Sequence, residues 1–190
     1  MVSGPVAYTA LIALVGLERL AELRLSRRNA ARSFARGGVE VGRGHYRVMT
    51  VFHTAFLVAC VVEAWARPRP APAALAAAAL AGAALAQALR YWAIATLGDR
   101  WNTRVIVLPH ADPVVGGPYR FVRHPNYLAV VVEMACLPLI QGAWMTAAAF
   151  SLGNAALLFV RIRAEEAALG ARWSAAFADR GRLVPQVPRA

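Results

Sequence analysis

No lysine occurs in these 190 residues, so all 21 basic side chains are arginine. With so much alanine, that bias resembles the composition of a GC-rich bacterial genome. Charge is scarce at 16% of residues, against about 25% in an ordinary soluble domain. Cysteine is scarcer still: Cys60 and Cys136 both fall in apolar runs, which excludes a disulfide framework and a cysteine metal site. The four histidines, at 45, 53, 110 and 124, lack the spacing of a zinc or haem pair, so no metal is expected. No phosphate-binding glycine loop and no nucleophile triad stand out. The N-terminus lacks the basic start of a signal peptide, so the first apolar run is expected to be a retained helix. The C-terminal "LVPQVPRA" carries no prenylation box.

What is present is apolar surface. Hydrophobic residues make up 59% of the chain and mean hydropathy is +0.47. So much apolar side chain exceeds what a domain of this size can bury in its own core, and lipid is the natural second solvent. The net charge of +11 would suit nucleic acid, but the arginines bunch between apolar runs rather than along one soluble face. No nucleic-acid partner is expected.

Five hydrophobic segments are expected, at about 5–25, 46–66, 71–97, 126–140 and 143–159. The first ends among Glu18, Arg19 and Glu22. The second contains His53 and Glu63, and a proline-rich hinge, "RPRPAP", separates it from the third, which is nearly all Ala and Leu until Gln87 and Arg90. Pro138 and Gly142 mark a tight reversal between the last two, which predicts an apolar helical hairpin. The fifth helix is expected to run on through "RIRAEEAALGARWSAAF", with Gly170 ending or kinking it. The expected fold is an all-α integral membrane protein of about five transmembrane helices, a single membrane domain over 1–190. Within it, residues 1–96 hold three N-terminal helices and an Arg-rich loop, and 97–190 hold the hairpin and tail.

Arginine placement predicts orientation. Arg27, Arg28, Arg32, Arg36 and Arg43 follow the first segment; Arg100, Arg104, Arg120 and Arg123 follow the third; six more lie from Arg161 onward. The other side has Arg67 and Arg69. The positive-inside rule then places the N-terminus outside and the tail in the cytoplasm, with the polar motifs on the cytoplasmic face of a multi-pass cell-membrane protein.

The motif "RHPNY" starts the fourth segment. Proline suits a first helical turn and holds His124 extended. The exposed N–H groups and dipole of such a start attract an anion such as a carboxylate, and Gly116 and Gly117 allow close approach of backbone to a ligand. Arg120, Arg123 and Tyr119 equally suit simple anchoring at headgroup level. Glu133, about 12 Å further on at 1.5 Å per residue, sits deep in apolar sequence, where an acid faces a cavity or a partner. It is a candidate to hold a cation, to take a proton, or to pair with Arg90 or Arg104. In "RIRAEE", Arg161 and Glu165 stand four apart, as do Ile162 and Glu166, which also suits a solvated helix laced with ion pairs. The hairpin brings both motifs to one membrane face. An anion site beside an acidic site suits a zwitterionic ligand.

Softer features lie in "LGDRWNTRV", where Trp101, Asn102 and Arg104 suit a hydrogen-bonded substrate or interfacial anchoring. Glu18 and Glu22 in "ERLAEL" share a face and are most simply paired with nearby arginines. The glycine-punctuated loop "GGVEVGRGHY" is a candidate cover for a pocket.

Together, "GGPYRFVRHPNYLA" and "RIRAEEAAL" resemble the isoprenylcysteine carboxyl methyltransferase and phospholipid methyltransferase superfamily, over about residues 97–169. These are integral-membrane enzymes that use S-adenosylmethionine. The resemblance implies that Gly117, Tyr119, Arg123, His124, Asn126 and Tyr127 wall the cofactor site and that Arg161, Glu165 and Glu166 close it. The family often has glycine two residues after the "RHPxY" tyrosine, where this chain has Ala129. The N-terminal "ERLAELRLSRRN" and "GGVEVGRGHY" look like a bacterial subgroup encoded beside type III polyketide synthases and associated with O-methylation of alkylresorcinols or alkylpyrones.

The resemblance implies a sulfonium methyl donor, so the protein must mainly align an oxygen nucleophile and exclude water. A phenol has a pKa of about 10 and benefits from a base, for which Glu133 is the first candidate and His53 the second. A carboxylate or acidic enol needs none; Arg104 or Arg90 would then position the anion, with Trp101 and Asn102 as further substrate contacts. The expected partners are membrane lipid and a lipophilic small molecule whose alkyl tail enters sideways. Two other readings exist. Membrane sterol and steroid reductases using NADPH are similar around "RHPNY", but they are usually longer and commonly continue with Gly-Glu where this chain has Ala129-Val130. A non-enzymatic scaffold would leave Glu133 and the paired motifs unexplained.

Overall fold

The computed structural model describes residues 4–67 and 70–186. Pro68 and Arg69 of the expected hinge, and Arg189, lie outside the described residues. Five helices dominate: α1 (Pro5–Ala35), α2 (Arg43–Ala66), α3 (Ala73–Leu97), α4 (Pro125–Leu139) and α5 (Trp144–Ala176). Three stretches are long and apolar enough to cross a membrane: Tyr46–Ala66, Ala73–Arg100 and Trp144–Ala176. α4 has 15 residues, short of the roughly 20 a span needs. α1 has the length, but Glu18, Arg19, Glu22 and Arg24 interrupt it. Its first half still turns Val6, Leu14 and Leu17 outward, more than 60% exposed; such a face is suited to lipid rather than water. The chain is a membrane protein.

Expected and observed helices differ most in α1, which continues about ten residues past 25. The reason is a polar face with a protein partner. Asn29 donates to the carbonyls of Gly98 (3.1 Å) and Trp101 (2.9 Å), and Ser26 bonds Asn102 and Thr103. The loop after α3 thus replaces lipid as the surface that α1 packs on. The sequence also gave no sign of a short antiparallel ribbon, β1 (Val39–Val41) with β2 (Val105–Val107), which pins the α1–α2 connection to that same loop. Three-residue strands are too short for alternation to register.

At the far end of the bundle, Tyr8, Ile12, Phe56, Cys60, Met134 and Leu137 form a core that joins α1, α2 and α4. The Tyr8 hydroxyl donates to the Leu137 carbonyl at 3.0 Å, beside the 3.4 Å bond that this carbonyl accepts from the Ile140 amide, and so ties α1 to the end of α4. The hairpin forms as expected: Gly142 takes φ 80° and the Ala143 amide bonds the Pro138 carbonyl at 2.9 Å. Glu63 of α2 then caps α5, accepting from the amides of Met145 (3.1 Å) and Thr146 (2.7 Å). α5 is kinked at Gly170 (φ 76°), which lets the segment after it fold back across the start of α4.

Candidate active site

A cavity of about 1030 Å³ runs from the start of α4, past the loop after α3, to the gap between α1 and α2. It has a polar cradle, a charged throat and an apolar arm.

The cradle is made where α4 begins. A turn at Gly117–Arg120 precedes it, and Gly117 is required there for two reasons. It takes φ 54°, and a Cβ would stand 2.2 Å from Thr96 Oγ1 of α3. Gly117 therefore locks the turn onto α3 and does not itself wall the cavity. Tyr119, which follows, does; burial pushes its phenol well above the ordinary value, so it stays a neutral hydroxyl. His124 stacks on Tyr127 with ring centroids 5.4 Å apart and leans on Trp173 at 5.5 Å. Its Nε2 stands 3.1 Å from Glu166. Arg123 and Asn126 complete this wall.

The double acid of α5 divides its work. Arg161 Nε donates to the Tyr127 hydroxyl at 2.7 Å, and that hydroxyl donates in turn to Glu165. The i,i+4 spacing of Arg161 and Glu165 is thus bridged by an aromatic hydroxyl from α4. Arg161 also bonds the Thr103 carbonyl at 2.6 Å, tying α5 to the loop after α3. Arg161 and Glu165 line the cavity, whereas Glu166 lies behind it, gripping Arg182 at 2.7 Å and His124. The tail binds the two amides that precede the helix: Arg123 N–H donates to Gly181 (2.9 Å) and His124 N–H to Arg182 (3.0 Å).

Trp101, Asn102 and Arg104 wall the cavity from the loop after α3. Arg104 lies 5.4 Å over the Tyr46 ring and 3.6 Å from Glu40, so the ribbon holds it. The Trp101 indole N–H and the Asn102 amide nitrogen are buried with no hydrogen-bond partner among the described residues. Buried donors of that kind are costly unless a ligand meets them.

The throat contains a closed ring of alternating charge. Arg19 meets Glu22 at 2.8 Å, Glu22 meets Arg90 at 3.6 Å, Arg90 meets Glu133 at 2.6 Å, and Glu133 returns to Arg19 at 3.6 Å. Arg19, Glu22 and Arg90 line the cavity with His53; Glu133 does not. Its carboxylate serves the two guanidiniums, and Arg104, the other partner considered for it, is paired elsewhere. Arg19 and Glu22 as cavity residues were missed in the sequence. Their signal was available: charges in the middle of an apolar helix are functional by default, but pairing within "ERLAEL" explained them too easily.

Beyond the throat the cavity is lined by Gly16, Leu17, Leu20, Leu57 and Val58. Leu17 is 63% and Val58 57% exposed on the outer surface, so this arm reaches the lipid-facing side.

Residues 78–171, from α3 through the cradle to Arg161, Glu165 and Glu166, match the family model described as the isoprenylcysteine carboxyl methyltransferase family. Over 162 residues the chain is 38% identical to the uncharacterized protein YpbQ of Bacillus subtilis, an alignment covering 85% of this chain and 96% of that one. The chain belongs to the isoprenylcysteine carboxyl methyltransferase family. This membrane methyltransferase is also 26% identical over 152 residues to an uncharacterized protein of Haemophilus influenzae, covering 80% and 88% of the two chains. Ala129, where the family often has glycine, is wholly buried. α1 and α2 lie outside the family-matched segment, so the throat and arm are built largely by the part of the chain that the family model leaves out.

Proposed function

We propose that this protein is an S-adenosylmethionine-dependent methyltransferase that O-methylates a lipophilic acceptor, of the alkylresorcinol or alkylpyrone type or an isoprenoid acid, at the bacterial cytoplasmic membrane. The observation that carries the proposal is one cavity joining a polar cradle to an apolar arm that reaches the lipid-facing surface. A water-soluble acceptor would need no such arm, and an alkyl chain desolvated there gains about 0.8 kcal/mol per buried CH₂.

The cradle suits the cofactor. Glu165 would meet its ammonium and Arg123 its carboxylate, with Tyr119, Asn126 and Tyr127 around the rest; the Asn126 Oδ1 is buried and lacks a partner among the described residues. When bound, the cofactor supplies a methyl group already activated by its sulfonium. The chain's own task is alignment and exclusion of water. His124 and Tyr127 hold the cradle wall rigid, Arg161 fixes it to the loop carrying Trp101 and Asn102, and that loop presents donors to the acceptor. The arginine distribution supports a cytoplasmic position for the cradle and an outside N-terminus. The "ERLAELRLSRRN" and "GGVEVGRGHY" segments support the subgroup encoded beside type III polyketide synthases.

The test is calorimetry on purified protein in detergent, titrating S-adenosylhomocysteine and NADPH side by side. Saturable binding of the first alone is expected, followed by transfer of labelled methyl to alkylated resorcinols or pyrones. Binding of NADPH alone would replace this reading with a reductase; binding of neither, with or without acceptor, would leave a scaffold.

A further inference from the structure

A separate hollow of about 380 Å³ lies where α1 ends, the ribbon crosses and α2 begins. That volume falls within the roughly 300–1,000 Å³ of small-molecule sites. Phe34, Glu40, Arg43, Tyr46, Arg47 and Arg104 line it, so three guanidiniums face one carboxylate. Glu40 is the withdrawn member, its side chain 6% exposed against 78% for Arg43 and 36% for Arg104. It holds Arg43 Nε at 3.2 Å and Arg104 Nη1 at 3.6 Å. The acid therefore fixes two cations while its own charge stays away from the mouth. Arg43 keeps both terminal nitrogens for another partner, and Arg47 has no ion pair among the described residues.

The chemistry that matches such a site is a phosphate. Guanidinium forks pair with its oxygens two at a time. α2 starts here at Arg43 with no side chain capping its first amides, and the dipole of a helix start adds to the pull on an anion. Depth decides what carries the phosphate. The apolar stretch of α2 begins at Tyr46, which puts the hollow at headgroup level. Just beyond it Val48 and Val51 are 52% and 69% exposed, a surface for acyl chains. Along α1, Arg24, Arg27, Arg28 and Arg32 are exposed and without an ion pair among the described residues. Their field draws anionic lipid and repels the ammonium of a zwitterionic headgroup.

We propose that this hollow binds the phosphate headgroup of an anionic phospholipid, held by Arg43, Arg47 and Arg104, with its acyl chains along the outer face of α2. The site is distinct from the methyltransferase reading and stands without it. Tyr46 and Arg104 also wall the reaction cavity, so a bound headgroup holds in place two side chains that both cavities share. Arg43 and Arg47 precede the family-matched segment, and the lipid site is thus a property of the N-terminal part of the chain.

The experiment uses the full chain in neutral detergent, titrated by calorimetry with dioctanoyl phosphatidylglycerol, a water-soluble anionic phospholipid. Saturable binding of one lipid per chain is expected. Dioctanoyl phosphatidylcholine, whose phosphate carries its own cation, should bind about tenfold more weakly or worse. Inorganic phosphate at equal concentration should not displace the lipid; displacement would make this a site for soluble phosphate and overturn the choice of a lipid. Arg47→Gln, an exposed side chain outside the reaction cavity, should weaken phosphatidylglycerol binding by about fivefold or more. Arg27→Gln removes the same charge from α1 without touching the hollow and should weaken it by less than about twofold. Equal weakening in the two variants would reduce the effect to diffuse attraction between a basic surface and an acidic lipid, and no saturable binding to wild type would remove the site. Either result overturns the proposal, and neither bears on S-adenosylhomocysteine binding, which tests the methyltransferase reading separately.

Discussion

Arg90 of α3 and Glu133 of α4 stand 2.6 Å apart in the buried centre of the protein, and Arg19 and Glu22 of α1 close a ring around them. Removing either partner of a buried pair costs about 3–5 kcal/mol, because the survivor keeps its desolvation penalty without its counter-ion. The ring spreads that risk over three helices and gives α1, poor in apolar contact at this level, a reason to stay docked.

Glu133→Gln should therefore destabilise the protein by about 3 kcal/mol, the lower end of the range, because Glu22 remains beside Arg90. Denaturant unfolding in detergent measures it. Pairing Arg90→Met with Glu133→Leu should recover most of the loss, since no charge is then stranded. Wild-type stability in Glu133→Gln alone would show that the ring does not hold the bundle.

The two acids of α5 should separate cleanly. Glu165→Gln removes a carboxylate from the cavity wall and should weaken S-adenosylhomocysteine binding by about tenfold, roughly 1.4 kcal/mol. Glu166→Gln removes the carboxylate that Arg182 and His124 share. Its expected effect is a loosened tail, read as faster tryptic cleavage after Arg180 and Arg182. Unaltered cofactor binding and methyl transfer in the doubly substituted protein would count heavily against the cradle.

The apolar arm makes a prediction about chain length. A Cβ at Gly16 would have Leu57 Cδ1 at 4.0 Å, so the gap between α1 and α2 is open there. Gly16→Leu should narrow it, raising KM for long-chain acceptors by about tenfold or more, about 1.4 kcal/mol, while short-chain acceptors react as before. Steady-state kinetics over a series of chain lengths decides this; a uniform change at every length would place the tail elsewhere.

Much of this site could be read without coordinates. "RHPNY" and "RIRAEE" are contiguous, and proline at a helix start acts over one turn, so their local geometry follows from residue type. The residues between them are apolar and end in Pro138 and Gly142, which is enough to imply a hairpin and so to bring the motifs together. The apolar stretches of α2, α3 and α5 likewise declare themselves, because the cost of placing apolar surface in water is a property of composition. Arg161, Glu165 and Tyr127 were all legible as members of one site. Their order was not: Tyr127 stands between the two charges because α4 lies close against α5 at that turn.

The sequence by itself determined a membrane protein with a polar cradle at the start of a short helix, since hydropathy, helix caps and charge spacing act over a few residues. Only the tertiary structure decided which acid faces the cavity. Glu22, Glu133 and Glu165 look alike in an apolar context, and their roles depend on which arginine a neighbouring helix brings within reach. The same holds for α1, whose length depends on a loop 69 to 72 residues away in sequence offering hydrogen bonds to Asn29. Pairings of that range cost chain entropy that no local pattern records; they form because an unpaired charge or amide buried in the bundle would cost more.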